Sequence, residues 1–149
     1  MEQLQKAAKV AFASEFTFYL KAHFFHWNVE GINFRELHDL FGTIYEEVYD
    51  SIDDFAEKIR SLGAYAPGSN SRFNVLSAID DETSVVPPEQ MVAELLQDSD
   101  NMVKVLKKVY DIAEAAGEHG FSNFLAERMD AHRKHSWQLR ATAKWKSLK

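Results

Sequence analysis

The sequence predicts an all-α chain folded as a four-helix bundle, with one long crossover between its second and third helices. Three observations carry this. Apolar residues recur at helical spacing in four long stretches. Two of the breaks between them are short and one is long. Gly and Pro are scarce, at 6 and 3, which disfavours a turn-rich all-β fold. The 149 residues are read as a single domain, 1–149, of ordinary size.

The first helix is expected from about Gln3 to Asn28. Its apolar residues (among them Leu4, Ala8, Phe12, Phe16, Tyr19 and Phe24) cover more than one face, so it is expected to be buried on more than one side. In a domain this small, the second side is expected to meet another subunit. Gly31-Ile32-Asn33 breaks the chain. Asn33, with Glu36 three residues on, reads as a capping box that opens the second helix. That helix carries Phe34, Leu37, Phe41, Ile44, Val48, Ile52, Phe55, Ile59 and Leu62 in steps of three and four, a bundle-type seam that ends before Gly63.

Ala64 to Pro88 is the long break, with loop chemistry at Pro67-Gly68-Ser69-Asn70-Ser71 and one or two helical turns expected over Asn74 to Ile79. Pro87-Pro88 restarts a helix, since Pro is tolerated in a first turn. The third long helix is expected over Glu89 to Ala116, with Val92, Leu95, Ser99, Met102, Leu106, Val109 and Ala113 on one stripe. Gly117 and Gly120 bracket a turn. The fourth carries Phe121, Phe124, Leu125, Met129, His132, Ser136 and Leu139. An up-down-up-down bundle needs only short loops, so the long middle connection describes a bundle of the ferritin-like kind.

Composition narrows the chemistry. Cys is absent, which excludes disulfides, thiolate metal sites and Cys nucleophiles. Any metal must be held by His, Asp and Glu, which suit iron and other borderline or hard cations. The net charge is −6, but residues 130–149 alone carry +5, so the body is acidic and the C-terminal end basic. No apolar run reaches the length of a membrane span, and no signal peptide is visible, so a cytoplasmic protein is expected.

Two pairs of residues are candidate ligands. Asp53 and Glu57 lie four apart on the second helix and share a face. They are also consistent with a solvated acidic stripe beside Lys58 and Arg60. His26 ends the first helix and His38 lies in the first turns of the second; each is equally consistent with aromatic packing. His38 and Asp53 are separated by fifteen residues of one helix, roughly 22 Å at about 1.5 Å per residue. One chain cannot place both pairs on one metal. Two copies with antiparallel second helices can, and the site then occurs once per subunit. An intrachain di-iron centre needs Glu-x-x-His on two helices. That motif does not occur in the sequence, so such a centre is not expected.

The string His26-Trp27-Asn28-Val29-Glu30-Gly31-Ile32-Asn33-Phe34-x-x-Leu37-His38, followed by Asp53-x-x-Ala56-Glu57-Lys58-Ile59-x-x-Leu62-Gly63, closely resembles the Dps family of mini-ferritins. The resemblance covers the whole chain. It implies a hollow dodecamer that oxidises Fe(II), typically with hydrogen peroxide, stores the ferric product and protects DNA from oxidative damage. It implies ferroxidase sites at two-fold interfaces, with His26 and His38 from one subunit and Asp53 and Glu57 from its partner. Trp27 would stand beside the site, intercepting stray oxidising equivalents or simply packing the interface.

The sequence departs from the family pattern at Gly42, where an Asp one turn after the second His is usual. The expectation is a site that binds one metal well and a second weakly, with Glu46 or His23 as substitute ligands. Glu118, Glu127 and Asp130 are candidates for an iron inlet pore at the family's three-fold axis. Lys144, Lys146 and Lys149 are candidate DNA contacts, against the alternative of cations that merely complement a helix C-terminus. DNA binding would make the protein nucleoid-associated. His119, His132 and His135 have no motif support, and the latter two are expected to pack or lie at the surface. Two further readings stay open: a DNA-protecting or compacting structural shell whose metal site is weakened by Gly42, and a helical interaction module without metal chemistry.

Overall fold

The computed structural model describes residues 1–144 and contains five helices: α1 (Glu2–Asn28), α2 (Phe34–Ser61), α3 (Asn70–Leu76), α4 (Pro88–Ala115) and α5 (His119–Ala143). α1 packs on α2 and on α4, α4 pairs with α5, and the short α3 lies against α1. The four long helices form the expected bundle. No helix of the described residues is long and apolar enough to cross a membrane.

The crossover runs the length of α1. It leaves α2 where the Gln5 side chain donates to the Leu62 carbonyl at 2.7 Å. Phe73 then packs on Phe12 and Phe16, and the Ala78 backbone N–H donates to Ser14 Oγ. Pro88 finally comes within 3.9 Å of where a Cβ on Gly31 would stand, at the far end of α1. α4 therefore starts beside the start of α2 and runs parallel to it. This direction requires a long connection, because the chain must return to the end it left.

Leu37, Phe41, Ile44, Val48, Phe55 and Ile59 of the α2 seam are all buried, each large side chain contributing about 1.5–3 kcal/mol. Phe34, at the first position of that seam, is exposed. Edge-to-face contacts of Phe55 with Phe12, Phe121 and Phe124 tie α2 to α1 and α5. Buried Lys21 donates to Asp98 at 2.7 Å, pinning α1 to α4.

One cap and two boundaries differ from expectation. Asn33 is the N-cap of α2, but its side chain makes no capping bond. The crossover helix starts at Asn70 rather than Asn74, because the Ser69 side chain accepts from the Arg72 N–H and opens it earlier. α5 begins at His119, two residues ahead of Phe121. Gly63 follows α2 at φ +86°, a conformation that favours Gly.

Candidate metal centre

His26 and His38 meet across the α1–α2 turn. Their imidazoles stack with centroids 3.8 Å apart at 17°. His26 Nδ1 donates to the His38 carbonyl at 2.7 Å, and His38 Nδ1 donates to the His26 carbonyl at the same distance. A carbonyl only accepts, so each ring carries its proton on Nδ1. In the neutral ring this leaves the lone pair on Nε2, the nitrogen through which such a histidine ligates a metal.

The clasp packs closely on Gly42. A Cβ there would lie 3.1 Å from both Cε1 and Nδ1 of His26, tighter than ordinary van der Waals contact. The absence of a side chain lets Cε1 and Nδ1 of His26 approach α2 closely. Position 42 thus lacks a carboxylate and also forms the floor under a candidate ligand.

His23 lies one turn before His26, stacked on Tyr45 (3.7 Å, 7°) and 3.9 Å from the Trp27 ring. Its Nδ1 is bonded to the Tyr19 hydroxyl at 3.0 Å. Burial, then the neighbouring His26, push its pKa below the ordinary value, against the pull of Glu46. Glu46 is exposed. Trp27 is 59% exposed, so its indole packs on His23 while leaving an unpartnered face beside the clasp.

Asp53 and Glu57 stand exposed on the outer face of α2. Neither enters a salt bridge among the described residues. α2 is unbroken from Phe34 to Ser61, so Asp53 lies roughly 22 Å and Glu57 roughly 28 Å from His38 along the rod. The structure brings His26 and His38 together and leaves the acid pair apart from them. Among the described residues, no group of three or more His, Asp or Glu within the single chain is arranged to hold a metal.

Glu57 also lines a cleft of about 410 Å³ with Asp54, Lys58 and Glu127, where the end of α2 meets the start of α5. Glu118 is the N-cap residue of α5, and Asp130 is exposed farther along it. Exposed His119 accompanies Glu114 at 3.1 Å. Lys144 is the C-cap residue of α5; Lys146 and Lys149 lie outside the described residues.

Sequence reasoning missed a polar cluster in the interior of the bundle. Glu15 of α1 is fully buried and accepts from Arg128 Nε at 2.9 Å and from His132 Nε2 at 2.5 Å. Glu47 of α2 accepts from the Arg128 guanidinium and from His135 Nε2 at 2.7 Å. Burial alone would raise both carboxyls. His132 and Arg128 hold Glu15 below its ordinary value, and His135 and Arg128 pull Glu47 down to about 2. Burial lowers the His135 pKa despite Glu47. Arg128, His132 and His135 are spaced i, i+4 and i+7 on α5, a polar stripe within its buried face and the only sequence signal of this cluster.

Residues 5–146 match the family model for a ferritin-like domain. The chain is 32% identical over 123 residues to "DNA protection during starvation protein 2" of Bacillus anthracis, covering 83% of this chain and 84% of that protein. The crystal structure of Dps from Staphylococcus aureus superposes with a TM-score of 0.91 at 29% identity, covering 96% of both chains. Dps from Vibrio cholerae O1, described as a member of a broad superfamily of ferritin-like diiron-carboxylate proteins, superposes at 0.89 with 26% identity over 94% of this chain and 88% of that one. With the matched bundle, crossover and chain length, the protein belongs to the Dps family of the ferritin-like superfamily.

Proposed function

We propose that the chain is the subunit of a hollow homo-oligomeric shell, a dodecamer, that oxidises Fe(II) at inter-subunit sites, stores the ferric product and protects DNA from oxidative damage. The observation that supports it best is the His26–His38 clasp, with both Nδ1 atoms committed to carbonyls and both Nε2 atoms free. Two imidazole nitrogens with the Asp53 and Glu57 carboxylates of a partner copy make a donor set suited to Fe(II). Iron is the substrate. Two Fe(II) each give one electron to one hydrogen peroxide, whose O–O bond breaks to two hydroxides. The four ligands fix the metal, and Glu57 is long enough to bind bidentately or bridge. Acidic Glu118, Glu127 and Asp130 favour cation approach at an inlet pore, and Trp27 stands beside the clasp to reduce stray oxidising equivalents.

The relatives' printed names concern DNA protection, and this reading extends that role to the chain, in the cytoplasm and on the nucleoid where DNA is held. A second reading, a DNA-protecting shell with a weakened ferroxidase site, is favoured by Gly42, which supplies no ligand and whose Cβ space the His26 ring occupies. Under either reading Glu46 and His23 are the remaining donors for a second, weaker iron. Cage-sized elution on gel filtration and growth of ferric absorbance after Fe(II) and peroxide test the first reading. Undiminished oxidation by a His38→Ala, Glu57→Ala double variant would remove the site assignment; an intact cage without oxidation in the unaltered chain would favour the second reading.

A further inference from the structure

We infer that the two metal centres of one subunit interface are joined by tyrosines: Tyr45, Tyr19 and Tyr49 carry an electron from Fe(II) at one centre to hydrogen peroxide at the other. Two centres that hold one iron each then act as one two-electron site. This rests on the ferroxidase reading and gives it residues beyond the four ligands.

The demand is chemical. Hydrogen peroxide that takes two electrons breaks its O–O bond to two hydroxides; with one electron it gives one hydroxide and one hydroxyl radical. A single Fe(II) supplies one electron as it becomes Fe(III). Gly42 adds no carboxylate for a tightly held second iron, and the His26 ring closes on the place its Cβ would take. The second electron must then come from the neighbouring centre, roughly 22 Å away along α2 by the fifteen residues between His38 and Asp53. Electron tunnelling falls off exponentially with distance, so a path of short steps between oxidisable rings is faster than one long step.

The aromatic side chains supply such a path. Tyr45 borders the clasp, its ring centroid 5.1 Å from that of His26. The Tyr19 ring lies 6.2 Å from Tyr45 and 5.1 Å from Tyr49. Tyr49 is 56% exposed in the single chain. From His38, Tyr45, Tyr49, Asp53 and Glu57 follow in steps of seven, four, four and four, so the tyrosines share one stripe of α2 with the ligands. In an antiparallel pair of α2 helices, each step forward along one is a step back along the other. With His38 level with the partner's stretch 53–57, Tyr45 stands level with the partner's stretch 46–50, which contains the partner subunit's Tyr49. The path is thereby closed across the two-fold axis, from clasp to clasp. Oxidising a tyrosine also releases its proton. The Tyr19 hydroxyl is bonded to His23 Nδ1 at 3.0 Å, and a His23 ring with its own proton on Nε2 takes up the hydroxyl proton there and returns it when Tyr19 is reduced.

The experiment loads assembled shells anaerobically with one Fe(II) per subunit and adds half an equivalent of peroxide per iron. Ferric absorbance counts the irons oxidised per peroxide, and a spin trap reports hydroxyl radical. The unaltered shell should oxidise two irons per peroxide without radical adduct. A triple variant, Tyr19→Phe, Tyr45→Phe and Tyr49→Phe, keeps the rings and removes the phenols. It should bind Fe(II) equally, oxidise one iron per peroxide and release the adduct. Tyr49→Phe alone, at the crossing, should move both readings the same way. A second arm leaves the tyrosines in place. In shells mixed from a His26→Ala, His38→Ala variant and an Asp53→Ala, Glu57→Ala variant, every intact centre faces a disabled one. The second electron can then come only from the tyrosines, and freeze-quenched EPR should show a tyrosyl radical. Two irons per peroxide without adduct in both tyrosine variants, adduct released by the unaltered shell, or no tyrosyl radical in the mixed shells would overturn the inference and leave the ferroxidase reading standing. Unaltered shells that oxidise no iron would remove both.

Discussion

The imidazoles of His26 and His38 hold each other in one tautomer: each ring donates its Nδ1 proton to the backbone carbonyl of the other residue. The bond pattern is reciprocal, so neither ring is oriented without the other. Replacing either histidine by Ala is expected to weaken Fe(II) or Co(II) binding by at least the 10–100-fold typical of losing an orienting partner. The two single variants should be nearly as impaired as the double. Metal titration of all three checks this, with circular dichroism to show retained helix. Additive losses would contradict the mutual clasp.

Gly42 supports the clasp from beneath. Gly42→Ala gains up to about 1 kcal/mol of helix propensity. It also places a methyl 3.1 Å from the His26 ring, which must shift by a few tenths of an ångström. Metal affinity should therefore fall while the urea midpoint moves little or rises. An unchanged affinity in Gly42→Ala would show that the ring has room to spare.

Acid should destabilise the fold in two steps. His135 has its pKa lowered by burial, so the unfolded chain takes up a proton more readily as pH falls through the ordinary value of 6.5, and stability drops. Glu47, held at about 2, contributes stability that is complete above its ordinary value of 4.5 and is lost as pH falls from there toward 2. Denaturant midpoints between pH 8 and pH 5 should fall with acid. His135→Gln should flatten that part of the curve and leave the steeper loss below 4.5.

The bundle was legible because its seams are regular. The α2 stripe from Leu37 to Ile59 is buried as its spacing requires apart from half-buried Ile52, and the long crossover follows from the break between Gly63 and Pro87. The His26–His38 approach was legible because a short turn joins their helices. The interior cluster was not. Glu15 and His132 are 117 residues apart, and Glu47 and Arg128 are 81 apart. The partners stand on different helices far apart in the chain, and pairing them needs the packing of three helices. His132 and His135, expected to pack or lie at the surface, are buried and bonded to carboxylates. The start of α3 was displaced by one side-chain cap at Ser69.

Any attraction for DNA should come from the basic C-terminal end, which sets +5 against an acidic body. Deletion of residues 144–149 should abolish a gel shift seen at low salt, and the shift in the full chain should vanish as salt rises. A shift retained after deletion would place the contact elsewhere.

The central claim is that each metal centre is shared between two copies. Subunit complementation tests it most directly. One variant carries His26→Ala and His38→Ala, the other Asp53→Ala and Glu57→Ala, and each alone should be inactive in peroxide-dependent Fe(II) oxidation. Assembled together at random, about a quarter of the interface sites would combine intact histidines from one subunit with intact acids from the other. The account predicts that mixed shells regain about that fraction of the unaltered activity. Mixed shells as inactive as either parent would contradict it.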